Sequence, residues 1–168
     1  MNVKKLTKMA LLCAAALILG YLDSLIPLVP SVPGIKLGLS NLVLLYAVFY
    51  LNPFETVCIM LVKVGLSSLL FGNATGALYA IAGGVLSVAV MLLLHRIKGI
   101  SVITVSAFGG ILHILGQIGV GILLLGLRPM LVYAPWLLVS GLVTGLLLGG
   151  LARAAFFGIE RYERRKGA

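Results

Sequence analysis

The segment from Phe54 to Phe71 reads FETVCIMLVKVGLSSLLF, and it places a single lysine, Lys63, near the middle of an apolar run. About nine residues separate Lys63 from either end of the run, which is roughly 13 Å of helix. A buried ammonium in hydrocarbon costs about 3 kcal/mol on insertion scales, and a lysine stem does not readily reach the membrane surface from that depth. We therefore expect Lys63 to face a polar pocket inside a helix bundle. The alternative is a lysine that pairs with a carbonyl or carboxylate and only orients helices.

The composition of the whole chain is that of a membrane protein. Hydrophobic residues make up 61% of the 168 residues, charged residues make up 10%, and the mean hydropathy is +1.20. These values exclude an ordinary soluble domain and predict a single all-α transmembrane domain over residues 1–168. The net charge of +9 would suggest nucleic acid in a soluble protein. Here the basic residues cluster at membrane edges, so membrane lipids and topology explain the charge, and no nucleic-acid partner is expected.

Six transmembrane helices are the simplest division of the apolar segments. Asn52 and Pro53 separate the second helix from the third, with Glu55 in the first turn of the third. The first apolar run is expected to be an uncleaved helix. The predicted ranges are 6–26, 37–51, 54–71, 75–94, 101–125 and 130–157, followed by a basic tail over 158–168.

The distribution of basic residues predicts the orientation. With both termini in the cytoplasm, ten lysines and arginines lie inside and only Lys36 and Arg128 lie outside, which agrees with the positive-inside rule. An odd number of helices would separate the two terminal basic clusters. The ten inside residues are Lys4, Lys5, Lys8, Arg96, Lys98, Arg153, Arg161, Arg164, Arg165 and Lys166.

Small residues recur at four-residue spacing in three of the predicted helices. Such faces let helices approach closely. We expect most of these faces to pack inside the protein. At least one is a candidate contact surface for a helix of another subunit. The sets are Ala10 with Ala14, then Gly76 with Ala80 and Gly84, and Gly141 with Gly145 and Gly149.

The remaining polar residues favour the outer half of the predicted bundle. His113 and Gln117 share a helix face because they are four residues apart. The set predicts an outward-facing pocket for an anionic or amide-bearing small molecule, with the Pro/Gly-rich link after the first helix as a lid. The candidate binding residues are Lys36, Asn41, Lys63, Asn73, His113, Gln117 and Arg128.

Structural interpretations of these residues, without a ligand, stay open. Lys36 and Arg128 also suit ordinary loop charges at headgroup level, and His113 also suits a hydrogen bond between helices. Asp23 is a candidate partner for Lys63 or for Lys36, and such an ion pair would weaken the pocket interpretation.

The motifs that the sequence lacks argue against catalysis. It has no GxxxxGK[ST] phosphate loop, no GxSxG, no HExxH and no aspartate-rich magnesium motif. Three of its four acidic residues lie at predicted cytoplasmic edges. We expect no enzyme activity, no metal site and no cofactor.

Five segments together resemble one family of small bacterial membrane proteins. That family is the Gx transporter family, also described as heptaprenyl diphosphate synthase component I, and the resemblance covers nearly the whole chain. The segment from Pro33 to Asn41 is its most specific part. The five segments are Pro33–Asn41, Leu69–Asn73, Ala82–Gly84, His113 with Gly116 and Gln117, and Gly141–Gly145.

The resemblance implies a fold and a role. Members of this family look like substrate-binding S components of energy-coupling factor (ECF) transporters, which are six-helix proteins with both termini inside and a ligand site in the outer half. The resemblance implies docking through small residues, here Ala10 and Ala14, onto a transmembrane coupling subunit driven by two ATPases. It also implies the bacterial cytoplasmic membrane. A second hypothesis is a non-catalytic membrane partner of a prenyl diphosphate synthase, or an isoprenoid-handling protein.

Overall fold

The computed structural model describes residues 3–25 and 38–166, which form six α-helices and no strand within those ranges. Five of these helices are long and apolar enough to cross a membrane, and Ser40–Tyr50 is a shorter apolar helix, whereas the sequence predicts six membrane-spanning helices. The helices are α1 (Val3–Leu25), α2 (Ser40–Tyr50), α3 (Pro53–Phe71), α4 (Ala74–His95), α5 (Val102–Leu125) and α6 (Leu127–Lys166).

The helix starts follow from capping residues in the sequence. Asn52 and Glu55 form a capping box at the start of α3, and Pro53 occupies the first helical position, where its missing N–H costs nothing. The Asn73 Oδ1 accepts a 2.7 Å hydrogen bond from the Gly76 N–H and caps α4. The Ser101 Oγ caps α5 by accepting from the Thr104 N–H. These caps fix where three of the predicted membrane segments begin.

The short helix α2 is the centre of the bundle. It contains 11 residues, or about 16 Å of helix, which is about half the hydrocarbon thickness of a bilayer. More than half of its residues are buried, and it contacts α1, α3, α4 and α6. Leu45 and Val48 of α2 pack in one apolar core with Ile59 of α3 and Val88 of α4. Because α2 is short and central, its N-terminal end lies inside the protein.

One end of the bundle gathers the start of α1 and the end of α6. Lys5 forms an ion pair with Glu55 at 3.0 Å, which brings the starts of α1 and α3 together. The ring of Phe49 near the end of α2 contacts His95 at the end of α4 and Phe156 of α6. We call this end, with Lys5, Lys8, Arg96, Lys98 and Arg153, the basic end.

The glycine face of α6 packs against α5. A Cβ on Gly145 would lie 2.8 Å from the Ser106 carbonyl oxygen, and one on Gly149 would lie 2.7 Å from the Ile103 Cα. A Cβ on Gly141 would meet the Gly110 carbonyl oxygen at 2.9 Å. The face therefore packs inside the chain, which is the expectation for most of the small-residue faces.

Three helices differ from their predicted ranges by three residues or more. Helix α1 begins at Val3 rather than at residue 6. Helix α6 begins at Leu127 rather than Met130, because Pro129 lies in the first turn, where proline is tolerated, and it continues to Lys166 through the basic tail. Helix α2 begins at Ser40 rather than at residue 37. The predicted lid, with Pro30, Pro33 and Gly34, lies outside the described residues.

Candidate functional site

Lys63 is anchored by an amide inside the bundle. Its Nζ donates a 2.9 Å hydrogen bond to the Asn41 Oδ1, and both side chains are partly buried. Lys63 is ten residues from the start of α3, so it lies about 15 Å along that helix. Asn41 lies in the first turn of α2, and the other end of α2 lies at the basic end. The first turn of α2 is therefore at about the same depth in the bundle as Lys63. The ammonium therefore meets the N-terminal end of α2 near the middle of the bundle.

Asp23 stabilises the chain segment that precedes Asn41. The Asp23 Oδ2 accepts a 2.8 Å hydrogen bond from the Gly38 N–H, and the Gly38 carbonyl accepts a 2.7 Å bond from the Asn41 N–H. Gly38 has a φ of +70°, a left-handed conformation that favours glycine. Asp23 is only 5% exposed, and it is close enough to Lys63 for electrostatic attraction. The carboxylate thus holds the turn that places Asn41 against the lysine.

His113 and Gln117 form a second pair near the middle of α5. Their Nε2 atoms lie 3.2 Å apart, one helical turn from each other, as the spacing predicts. With the amide in this orientation, the Gln117 amide nitrogen donates and the imidazole Nε2 accepts, which leaves the ring proton on Nδ1. The imidazole lies against Gly83 of α4, where a Cβ would be 2.9 Å from Nδ1. Glycine at position 83 is what makes room for the ring.

The two pairs lie in the same region of the bundle. His113 and Lys63 are close enough to interact electrostatically. We call Asp23, Asn41, Lys63, His113 and Gln117 the polar cluster. It draws on α1, α2, α3 and α5, so it forms only when the whole bundle assembles. The Lys63 ammonium and the amide nitrogens of Asn41 and Gln117 provide hydrogen-bond donors for an anionic or carbonyl group.

Two other predicted site residues, Asn73 and Arg128, lie at helix ends and not in the polar cluster. Asn73 is exposed and its side chain caps α4. Arg128 is exposed in the first turn of α6, which agrees with the alternative of an ordinary end-of-helix charge. Lys36 lies outside the described residues. Of the seven predicted binding residues, the structure brings together Asn41, Lys63, His113 and Gln117.

Ala10 and Ala14 lie on an exposed face of α1. Both are exposed, as are Leu11 and Ile18 beside them, whereas Ala16 is fully buried. The pair is therefore available to lipid or to another protein and does not pack within the chain.

Some features of the site were not predicted from the sequence. The sequence offered Asp23 as a candidate partner of Lys63 or of Lys36 and gave no sign that Asn41 is the hydrogen-bond acceptor of Lys63. It singled out neither the Lys5–Glu55 ion pair nor Gly38 and Gly83 as supports of polar side chains. Within residues 3–25 and 38–166, no group of three His, Cys, Asp or Glu side chains is placed to hold a metal ion.

Comparison with protein families identifies one match. The family model described as heptaprenyl diphosphate synthase component I matches residues 12–155, which is most of the chain and includes the entire polar cluster. No curated protein and no solved structure matches the chain.

Proposed function

The chain belongs to the heptaprenyl diphosphate synthase component I family, and on that premise we propose that it is a substrate-binding membrane subunit of an ECF-type importer. Its ligand in this proposal is a small anionic molecule bound at the polar cluster. The observation that carries the proposal is the Lys63–Asn41 hydrogen bond in the middle of the bundle. Ionisable residues at such a depth are costly and mark binding or transport pathways in membrane proteins.

The start of α2 adds to the preference for an anion. The N-terminal end of a helix carries a partial positive charge, and helices that begin inside a membrane protein direct that charge at anionic groups. Here α2 begins at the depth of Lys63, so the ammonium and the helix end act on the same region. Asp23 offsets part of the positive charge in the empty protein. An anionic ligand would then compete with Asn41 for the ammonium.

The proposed topology has six membrane segments, with both termini and the basic end in the cytoplasm. The positive-inside rule supports it, because ten basic residues fall on one side and two on the other. The membrane is the bacterial cytoplasmic membrane.

The proposed partner is a transmembrane coupling subunit that works with two ATPases. The chain has no phosphate loop of its own, so in this proposal the partner ATPases hydrolyse the ATP. The exposed face with Ala10 and Ala14 is the proposed docking surface, because small residues allow a partner helix to approach closely.

The family description favours a second candidate function, a non-catalytic membrane partner of a prenyl diphosphate synthase. The chain lacks the aspartate-rich motif that binds magnesium diphosphate, and Asp23 is its only aspartate. Under either function, we expect the purified chain to show neither ATP hydrolysis nor prenyl transfer. Incorporation of labelled isopentenyl diphosphate by the chain alone would refute both assignments.

Analysis of the bound small molecule tests the transport proposal. The protein is purified in mild detergent from its native membrane and denatured, and the released molecules are identified by mass spectrometry. We expect an anionic compound to co-purify with the wild type and with Lys98→Met, an exposed lysine at the basic end. It should be absent from Lys63→Met. Release of a prenyl diphosphate instead would favour the second candidate, and equal recovery from Lys63→Met would reject the polar cluster as the site.

A further inference from the structure

A groove at the basic end has no role in the proposed import function. It has a volume of about 600 Å³ and lies between the end of α2, the start of α5 and the last part of α6. Phe49, Val102, Ile103, Arg153, Phe156 and Phe157 line it. It is separate from the polar cluster, because Lys63 and His113 lie near the middle of α3 and α5.

The wall of this groove is aromatic. Phe156 is 7% exposed, and its ring centroid lies 5.7 Å from that of Phe49 and 5.0 Å from that of Tyr50. Phe157 next to it is 67% exposed. The floor is open at Gly150, where an added Cβ would have no neighbouring atom within 4 Å. The shape and chemistry suit a hydrocarbon chain lying along the rings.

The charge of the groove comes from Arg153. The guanidinium is exposed and makes no ion pair or hydrogen bond with the residues that the structure describes. Two other cations of the basic end differ in this respect. Lys5 is paired with Glu55, and Lys8 lies over the Tyr46 ring at 5.4 Å. Guanidinium groups bind phosphate oxygens through two parallel hydrogen bonds, and a basic residue at a membrane edge attracts anionic headgroups.

We propose that this groove binds an anionic phospholipid, with the phosphate at Arg153 and an acyl chain against Phe49, Phe156 and Phe157. Charge complementarity and position select this occupant. The groove lies at the end of the bundle where the basic residues are concentrated, and membrane edges are where phosphate groups and chains meet. The proposal does not depend on the import function.

Quenching of tryptophan fluorescence by brominated lipids tests the proposal. The single native tryptophan is removed by Trp136→Phe, and a reporter is introduced by Phe157→Trp. The full chain is reconstituted in mixtures of brominated phosphatidylglycerol and phosphatidylcholine, and in the reverse-labelled mixtures. We expect phosphatidylglycerol to be preferred roughly fivefold, as for one basic residue at the surface. Equal quenching by the two lipids would overturn the proposal.

Three substitutions in the reporter background identify the contacts. Arg153→Gln should abolish the preference for the anionic lipid, whereas Arg128→Gln, at the other end of the same helix, should retain it. Gly150→Phe should fill the groove and reduce quenching by both lipids, and an added Cβ at position 150 meets no atom within 4 Å. Circular dichroism and gel filtration check the fold of each variant. A preference for the anionic lipid that survives Arg153→Gln would contradict a phospholipid site.

Discussion

The Lys63 ammonium donates a hydrogen bond to the Asn41 side-chain oxygen at 2.9 Å, which joins the middle of α3 to the first turn of α2. The bond explains how a lysine is tolerated so deep in an apolar helix, because its charge meets an amide, a nearby carboxylate and the inside of the bundle rather than lipid. The ammonium is also a donor that an incoming anion can bind in place of the Asn41 oxygen. The same contact therefore serves the fold and the proposed binding function.

Gly38 is predicted to control the position of Asn41. Alanine there has to adopt a φ of +70°, which costs about 1–2 kcal/mol, and its Cβ would lie 3.1 Å from the Asn41 Nδ2. Gly99→Ala is the matched control, since Gly99 has a φ of +89° and no atom within 4 Å of a Cβ. We expect both variants to lower the thermal unfolding midpoint in detergent, and only Gly38→Ala to lower recovery of the co-purifying ligand. Equal ligand recovery from the two variants would show that Gly38 has no part in the site.

Gly83 is predicted to be required for the observed position of the His113 ring. A Cβ at position 83 would lie 2.7 Å from the His113 carbonyl oxygen, so Gly83→Ala forces α4 and α5 apart. Overpacking of this kind costs about 1–3 kcal/mol. Gly65→Ala is the control, because an added Cβ there meets nothing within 4 Å and alanine favours a helix. Unfolding in a denaturing detergent should show a loss of stability for Gly83→Ala and none for Gly65→Ala; similar stability of the two would contradict the close packing.

The exposed small-residue face of α1 is predicted to be a docking surface. Ala14→Trp should block assembly with the coupling subunit and leave the co-purifying ligand bound, because residue 14 lies on an exposed face of the helix. Ala89→Trp is the control, an exposed alanine on α4. Co-purification of the tagged complex from the native membrane measures assembly. If Ala14→Trp assembles as well as Ala89→Trp does, the α1 face is a lipid contact.

The orientation of the bundle is testable by cysteine labelling. In a background with Cys13 and Cys58 replaced by serine, Thr75→Cys should react with an impermeant maleimide in intact cells, and Lys98→Cys should react only after permeabilisation. Both positions are exposed, at opposite ends of α4. We expect this labelling pattern because basic residues are in excess at the end of the bundle that holds Lys98. The reverse labelling pattern would invert the topology.

Much of the fold follows from local signals in the sequence. Asn52, Pro53 and Glu55 predict the start of α3, and the structure has the capping box there. The spacing of Gly141, Gly145 and Gly149 predicts a close helix contact, but it does not say which helix fills it. That choice depends on the complementary surface of α5 around Gly110.

The candidate site was predictable only in part. His113 and Gln117 are one turn apart, so their pairing follows from helix geometry. The bond between Lys63 and Asn41 joins residues 22 positions apart on different helices, and no periodicity reports such a contact. The sequence also predicts Asn73 and Arg128 in the turns after the third and fifth helices, and the structure has them there, at the start of α4 and in the first turn of α6. The groove around Arg153 needs three helices to meet, which the sequence does not reveal.

The most direct test of the central claim is an experimental structure of the protein purified from its native membrane without removal of its ligand. The account predicts non-protein density within about 3.2 Å of the Lys63 Nζ, the range of a charged hydrogen bond, with His113 and Gln117 beside the same density. A structure in which Lys63 faces lipid, away from His113 and Gln117, would contradict the account. So would a ligand bound elsewhere while the Lys63–Asn41 bond stays closed.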